Sequence, residues 1–407
     1  MSRDDAEGGT PTRRDCLTYG GAVAAGGFLA GCTGGNDAKS APTTDRTANE
    51  SGSESASSTS SSGSESAEES ASTDGAYSVT MEPVGTVEFD RVPATIAPFT
   101  ADYIDMLVAL GHADAVQSIW YRGRYKTIHY EELDGVSIDL DGLTQLWNDG
   151  VSKELFYEMN ADLHLIDPHE LTDWLGAWDR DDLEEVRTNV APFLGNLVFR
   201  RTDDWHDYRY YSLYEAFEKV AEIVRERERF EAIRSIHDEL VTDVQSRLPA
   251  PEDRPDAALV FAGTEPEEFT PYRIDGQGAN KEHFHALGIS DAFVGTDVEG
   301  YSGSQSLDYE ALLEVDPDSL LLRYHREGMT RAEFEDTVLA YLKEHELGSQ
   351  LTAVEEDRVF RGGPIYAGPL HNLFMIERYA KGYYPGEFTE DELIDRDRLS
   401  RIITEGA

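Results

Sequence analysis

Cysteine occurs at only two positions in 407 residues, 16 and 32, so everything beyond residue 32 is free of thiols. Disulfides, thiolate metal centres and cysteine nucleophiles are thereby excluded from the body of the chain. Lysine is nearly as scarce, with 7 among the 35 basic residues and arginine making up the other 28. Against 80 Asp and Glu this leaves a formal charge of -45. A field of that sign repels nucleic acid, and no basic stripe offsets it, so neither DNA nor RNA is an expected partner. Catalytic motifs are missing too: there is no GxSxG and no HExxH, and "GTEPEEF" at 263–269 lacks the lysine and spacing of a phosphate loop. Acidic pairs are so frequent that none singles out acid–base chemistry. The chain reads as a non-enzyme that needs no cofactor and no metal ligands of its own. A secreted hydrolase is the rival reading, and it predicts turnover of generic ester, glycoside or peptide substrates in high salt.

What is present begins with "TRRDCLTYGGAVAAGGFLAGC" at 12–32. Arg13 and Arg14 form a positive n-region, and the apolar stretch behind them is too short and too rich in glycine to span a bilayer. The paired arginines resemble a twin-arginine export signal, although Cys16 stands where a large apolar residue is usual. "LAGC" resembles a lipobox, in which cleavage leaves Cys32 as the lipidated first residue. Residues 1–32 are therefore expected to be a Tat-type lipoprotein signal, and the mature chain to sit on the extracellular face of the cell membrane, held by lipid alone. Residues 33–76 are rich in Ser, Thr, Glu and Gly and poor in large apolar side chains, which is the composition of a disordered linker. The acidic, lysine-poor balance resembles that of a salt-in haloarchaeal proteome, in which acidic faces stay hydrated when salt shortens the Debye length to about 3 Å.

The remaining stretch exceeds one ordinary core, so two domains are expected. "ELFYEMNADLHLI" at 154–166 and "EALLEVDPDSLLL" at 310–322 share a glutamate, apolar residues at helical spacing, an aspartate and an apolar run. Each reads as a short helix feeding a buried strand, and their offset of 156 residues points to two similar lobes. "ATIAPF" followed by "TADYIDMLVALG", and "AALVFAG" followed by "GANKEHFHALG", add further strand and helix units. Between the halves, apolar residues at helical spacing from Leu213 to Val244 predict helix, and a continuous run over 229–249 would span about 30 Å. The fold class is thus α/β: two Rossmann-like lobes, 77–228 and 250–407, joined by a long rigid helix at 229–249, with a ligand cleft between the lobes.

The lipobox, the linker, "VEFDRVPATIAPFTADYIDMLVALGHADAV", the paired "NADLHLID" and "DPDSLLLR" segments, the central helix and the closing "VEEDRVFRGGPIYAGP" together resemble the substrate-binding lipoproteins of iron-siderophore and cobalamin ABC importers, the class III periplasmic binding proteins. The likeness covers the chain from residue 84 onward. It implies a monomer that captures an iron(III)-siderophore complex and delivers it to an ABC permease dimer with a cytoplasmic ATPase. Cobalamin or haem is the alternative cargo. The resemblance also carries permease docking to Glu154 and Glu310, one on each lobe.

In open α/β sheets ligands bind beyond the carboxyl ends of the strands. There the sequence gathers Trp120, Tyr121, Arg122, Arg124, Tyr125 and His169 in the first half, and Arg323, Tyr324, His325 and Tyr366 in the second. An anionic iron chelate whose metal is already saturated calls for flat aromatic surface and guanidinium forks, and arginine supplies both charge and stacking. His283 and His285, two apart on a helix, point away from each other and are expected to be surface or capping residues rather than a metal pair.

Overall fold

The computed structural model describes residues 75–299, 305–323 and 329–406. The export signal, Cys32, nearly all of the linker, and Tyr324 and His325 lie outside the described residues. Among the described residues no helix is long and apolar enough to cross a membrane.

An antiparallel hairpin comes first, β1 (Tyr77–Met81) with β2 (Gly85–Phe89), turning Val79, Met81, Val87 and Phe89 inward by strict alternation. The first lobe follows as β3 (Ile96–Pro98), α1 (Ala101–Ala109), β4 (Ser118–Ile119), β5 (Thr144–Gln145), α2 (Lys153–Met159), β6 (Leu163–Leu165) and α3 (Arg180–Asn189). β3 pairs with β6 and β4 with β5, all parallel, and a bridge from Ile96 to Val116 joins the two pairs. Next come α4 (Leu213–Val224) and α5 (Arg227–Arg247), separated where Arg225 turns left-handed at a φ of 60°. The expected rigid helix is therefore one unbroken run of 21 residues, displaced by two residues from 229–249. The second lobe contains β7 (Asp256–Phe261), β8 (Thr270–Tyr272), α6 (Glu282–Ala286), β9 (Ser290–Asp291), α7 (Tyr309–Val315), β10 (Leu320–Arg323) and β11 (Val359–Arg361), then α8 (Pro369–Tyr383) and α9 (Arg396–Glu405). Its strands run β11-β10-β7-β8, with β8 antiparallel and β9 parallel to β7.

The repeat seen in sequence extends to individual hydrogen bonds. Ser152 and Asp308, 156 apart, cap the N-termini of α2 and α7, and Asn160 and Asp316 close those helices in the left-handed region at φ of 46° and 43°. One step on, Asp162 accepts the N–H groups of Ala94 and Thr95 just before β3, and Asp318 accepts that of Asp256 at the start of β7. Asn and Asp tolerate this conformation because a short polar side chain can bond locally. The same residue types at the same offset thus build the same corner in both lobes.

One hydrophobic cluster runs from the hairpin through α1, α4 and α5 to Leu259, Leu321 and α8. A second covers the other face of the second sheet, where Ala258, Val260, Leu320 and Leu322 point. A strand buried on both faces reads as a continuous apolar run, as "AALV" does. α8 and α9 belong by sequence to the second half, yet they pack on α1 and α5. This shared core ties the lobes together along their length.

Glu282, the first residue of α6, accepts the N–H of Leu213 at the start of α4 at 2.8 Å. Burial pushes its carboxyl from 4.5 up to about 7, against the opposing pull of that N–H. A carboxyl raised in the folded state contributes stability that is fully present below its unfolded value and is lost as pH rises through 7. Glu282→Gln keeps an acceptor and removes the charge. The variant is expected to match the parent near pH 4.5 and to exceed it above pH 8 by about 2–3 kcal/mol, read from denaturant midpoints. Parallel stability curves across that range would contradict the assignment.

Candidate ligand-binding cleft

The carboxyl ends of the parallel strands converge on a group of aromatic rings. Trp120, directly after β4, is stacked on Phe99 after β3 at 5.8 Å and lies 5.0 Å from Trp174 and 6.3 Å from Trp147, ring centre to ring centre. Trp174 also meets Phe199. From the second lobe Tyr366 closes against this group, edge-on to Trp120 at 5.9 Å and to Phe199 at 4.9 Å. Two guanidinium groups join the rings: Arg124 lies 4.8 Å from the Trp120 ring centre and donates to the Tyr366 hydroxyl at 3.2 Å, and Arg200 lies 5.3 Å from both Trp174 and Phe199. Arg200 is held by a two-pronged bond to Asp203, and neither Arg124 nor Lys126 pairs with a carboxylate among the described residues. Trp120 and Tyr366 are buried, while Trp147, Trp174, Arg124 and Arg200 remain partly exposed. Burial also pushes the Tyr366 phenol up, so it stays a hydrogen-bond donor.

His169 stands beside this group, on the turn that leads into Trp174. Its ring stacks on Tyr208 at 4.9 Å and Trp205 at 5.7 Å, and its Nδ1 lies 3.0 Å from Asp167. That carboxylate holds the imidazole above its usual range. Beneath it, burial raises Glu170 well above the ordinary carboxylate range and Asp102 to about 6, so the cleft floor is less anionic than the composition suggests.

The sequence placed ten residues here, and the structure separates them. Trp120, Arg124 and Tyr366 meet, and Tyr121 is partly exposed at the same turn. Arg122 does not join them: its Nη2 donates to the Leu143 carbonyl at 2.7 Å, anchoring the turn. Tyr125 is 1% exposed and bonds through Tyr130 to the buried Asp105, so it is part of the core. Arg323 is wholly buried, 4.9 Å from the Tyr272 ring and donating to the carbonyls of Asn280 and Gly362. These three follow strands as expected, but short polar turns let the side chains fold back beneath the sheet ends. His283 likewise departs from expectation. It is buried against Phe284 and Tyr379, whereas His285 is exposed and contacts the Ile274 carbonyl. The two do not share a site, and among the described residues no group of three or more His, Cys, Asp or Glu could hold a metal.

Trp147, Trp174, Phe199 and Arg200 were not anticipated. β5, which delivers Trp147, is two residues long, and Arg200 lies in a stretch without regular structure, so neither leaves a periodic trace. The rarity of tryptophan, five in the chain, is the signal that would have found the first two.

A larger cavity, about 750 Å³, lies in the second lobe between β11, α8 and the helical turns at 331–344. It lacks the convergence of both lobes, and its rim cations Arg331 and Lys343 are paired with Glu335 and Asp357.

Comparison with known proteins agrees with this geometry. A family model described as periplasmic binding protein matches residues 166–366. No curated protein sequence matches the chain. Among solved structures, the iron uptake ABC transporter substrate-binding protein PiuA of Streptococcus pneumoniae is similar over 77% of this chain and 100% of its own, at 15% identity and a TM-score of 0.54. The petrobactin-binding protein YclQ of Bacillus subtilis is similar over 76% and 99%, at 14% identity and 0.53. CeuE of Helicobacter pylori, with Ni(II) bound, is similar over 81% and 95%, at 10% identity and 0.53. With its two α/β lobes and a connecting helix, this chain has the fold of the class III periplasmic binding proteins.

Proposed function

We propose that the chain is the substrate-binding component of an ABC importer, anchored by lipid at Cys32 on the outer face of the membrane, and that its cargo is an anionic iron(III) chelate. The observation that carries this reading is the ring and guanidinium group formed by Trp120, Trp147, Trp174, Arg124 and Arg200 across from Tyr366. Rings supply contact area without first-shell iron ligands, and the guanidinium forks match chelate oxygens. The shared core limits how far the lobes can part, so only modest closure accompanies binding. The protein acts as a monomer and passes the complex to a permease dimer through Glu154 and Glu310. His169 favours a second reading, haem or an unsaturated chelate: a carboxylate on one ring nitrogen is how a metal-ligating histidine is oriented.

The test is titration of the mature chain with ferric citrate, a ferric tris-catecholate, a ferric trihydroxamate, haem and cobalamin, followed by tryptophan emission. A ferric complex should quench strongly, since three of the five tryptophans lie in the group. Arg124→Ala and Trp174→Ala should each weaken binding about tenfold, the scale of one charge-assisted bond or one ring contact. Unchanged titrations in both variants, or no binding to any probe in native mass spectrometry, would rule the cleft out.

A further inference from the structure

A smaller cavity lies on the seam between the lobes. Its walls are Arg124, Lys126 and His129 from the first lobe and Arg361, His371 and Arg378 from the second, and no carboxylate lines it among the described residues. In a chain with 80 acidic and 35 basic residues this inverts the composition. The seam itself is close-packed. The ring of His129 meets that of His371 at 5.2 Å, His371 Nε2 lies 3.1 Å from the Lys126 carbonyl, and Asp105 touches His371 from the α1 side. Arg361 and Arg378 both lean on backbone carbonyls, those of Met329 and Arg361.

We propose that this notch binds one small monoatomic anion, such as chloride, that holds the two lobes together. The free volume at its centre is about 10 Å³, the threshold for one water-sized occupant and too little for sulfate or a carboxylate arm. Guanidinium and ammonium groups are donors only. A water there would find acceptors for its lone pairs but few for its hydrogens, whereas a halide accepts from every side. Like charges drawn together at low dielectric repel strongly unless an anion intervenes. The same positive field holds the His129 imidazole well below its usual range, through burial first and then His371, Arg378 and Arg361.

The test uses the mature chain with no iron complex added, so it stands apart from the cargo assignment. Crystals grown in bromide should show an anomalous peak among Arg124, Lys126, Arg361 and Arg378. In solution, at constant ionic strength with gluconate as the replacement, the melting temperature should rise by a fixed increment per tenfold halide once the site fills. The double variant K126M/R378Q should lose that dependence. If the double variant does not fold, the single K126M must show at least a weaker dependence than the parent. A seam without a bromide peak overturns the proposal, and so does a peak with no halide dependence of melting, which would mean an adventitious ion only. A peak displaced by added ferric chelate also overturns it, since the notch would then be an arm of the cleft.

Discussion

Reversing Glu154 and Glu310 together to arginine is expected to abolish uptake of the iron complex in cells while leaving its affinity in solution unchanged. Both side chains are exposed, each is the second residue of its helix, and each helix is capped and closed by matching residues at the same offset. A pair related in this way presents the same charge at equivalent corners of the two lobes. That is what a pseudo-symmetric dimer of membrane subunits with two basic pockets would engage. A carboxylate in the first turn also favours the helix dipole, so reversal alters local helix stability as well. The two effects separate in measurement. Loss of docking removes uptake with a normal titration, and a helix-end effect lowers the melting temperature with normal uptake. Single reversals should give intermediate uptake, because one lobe remains engaged. Full uptake in the double variant would exclude these two residues as the docking pair.

The repeat that supports this expectation was legible in the sequence because it is written in local signals. Helix caps, an apolar helical face, an Asn or Asp at the left-handed position and a four-residue apolar strand all lie within about fifteen residues of one another. The central helix was legible for the same reason. The cleft was only partly so. Trp120, Arg124 and Tyr366 follow strands, and the rule about carboxyl ends finds them. Tyr125, Arg122 and Arg323 follow strands equally well, and nothing local tells which way a turn folds its side chains. Tyr125 is drawn inward by Tyr130 and Asp105, and Arg323 by the carbonyls of Asn280 and Gly362, 43 and 39 residues away. Trp147 and Arg200 had the opposite fate, brought into the cleft from segments with no periodicity. The packing of α8 on α1 was illegible altogether, since it depends on a contact across some 265 residues.

Replacing Asp105 by alanine at that contact is expected to cost about 3–5 kcal/mol, the scale for removing one partner from a buried pair. Asp105 lies on α1, fully buried. Its Oδ2 accepts the N–H groups of Leu370 at 2.8 Å and His371 at 3.3 Å, the first turn of α8, where unsatisfied donors and the helix dipole both favour a carboxylate. Its Oδ1 takes the Tyr130 hydroxyl at 2.5 Å and lies 3.1 Å from His371 Nδ1. One side chain from the first lobe thus caps a helix of the second. The approach is so close that Gly368 is required: a Cβ there would lie 2.4 Å from that of Asp105 and 2.7 Å from the Asp102 carbonyl. Alanine at 105 leaves the donors buried without an acceptor, and asparagine, which keeps one oxygen, should lose less. The damage should also reach the cleft. Tyr366 sits three residues ahead of α8, so loosening that helix start moves the ring that Trp120 and Arg124 hold. Denaturant midpoints and chelate titrations on Asp105→Ala and Asp105→Asn should therefore fall together, in that order of severity. An alanine variant within about 1 kcal/mol of the parent would show that the two lobes are joined by apolar packing alone, with the carboxylate incidental to it.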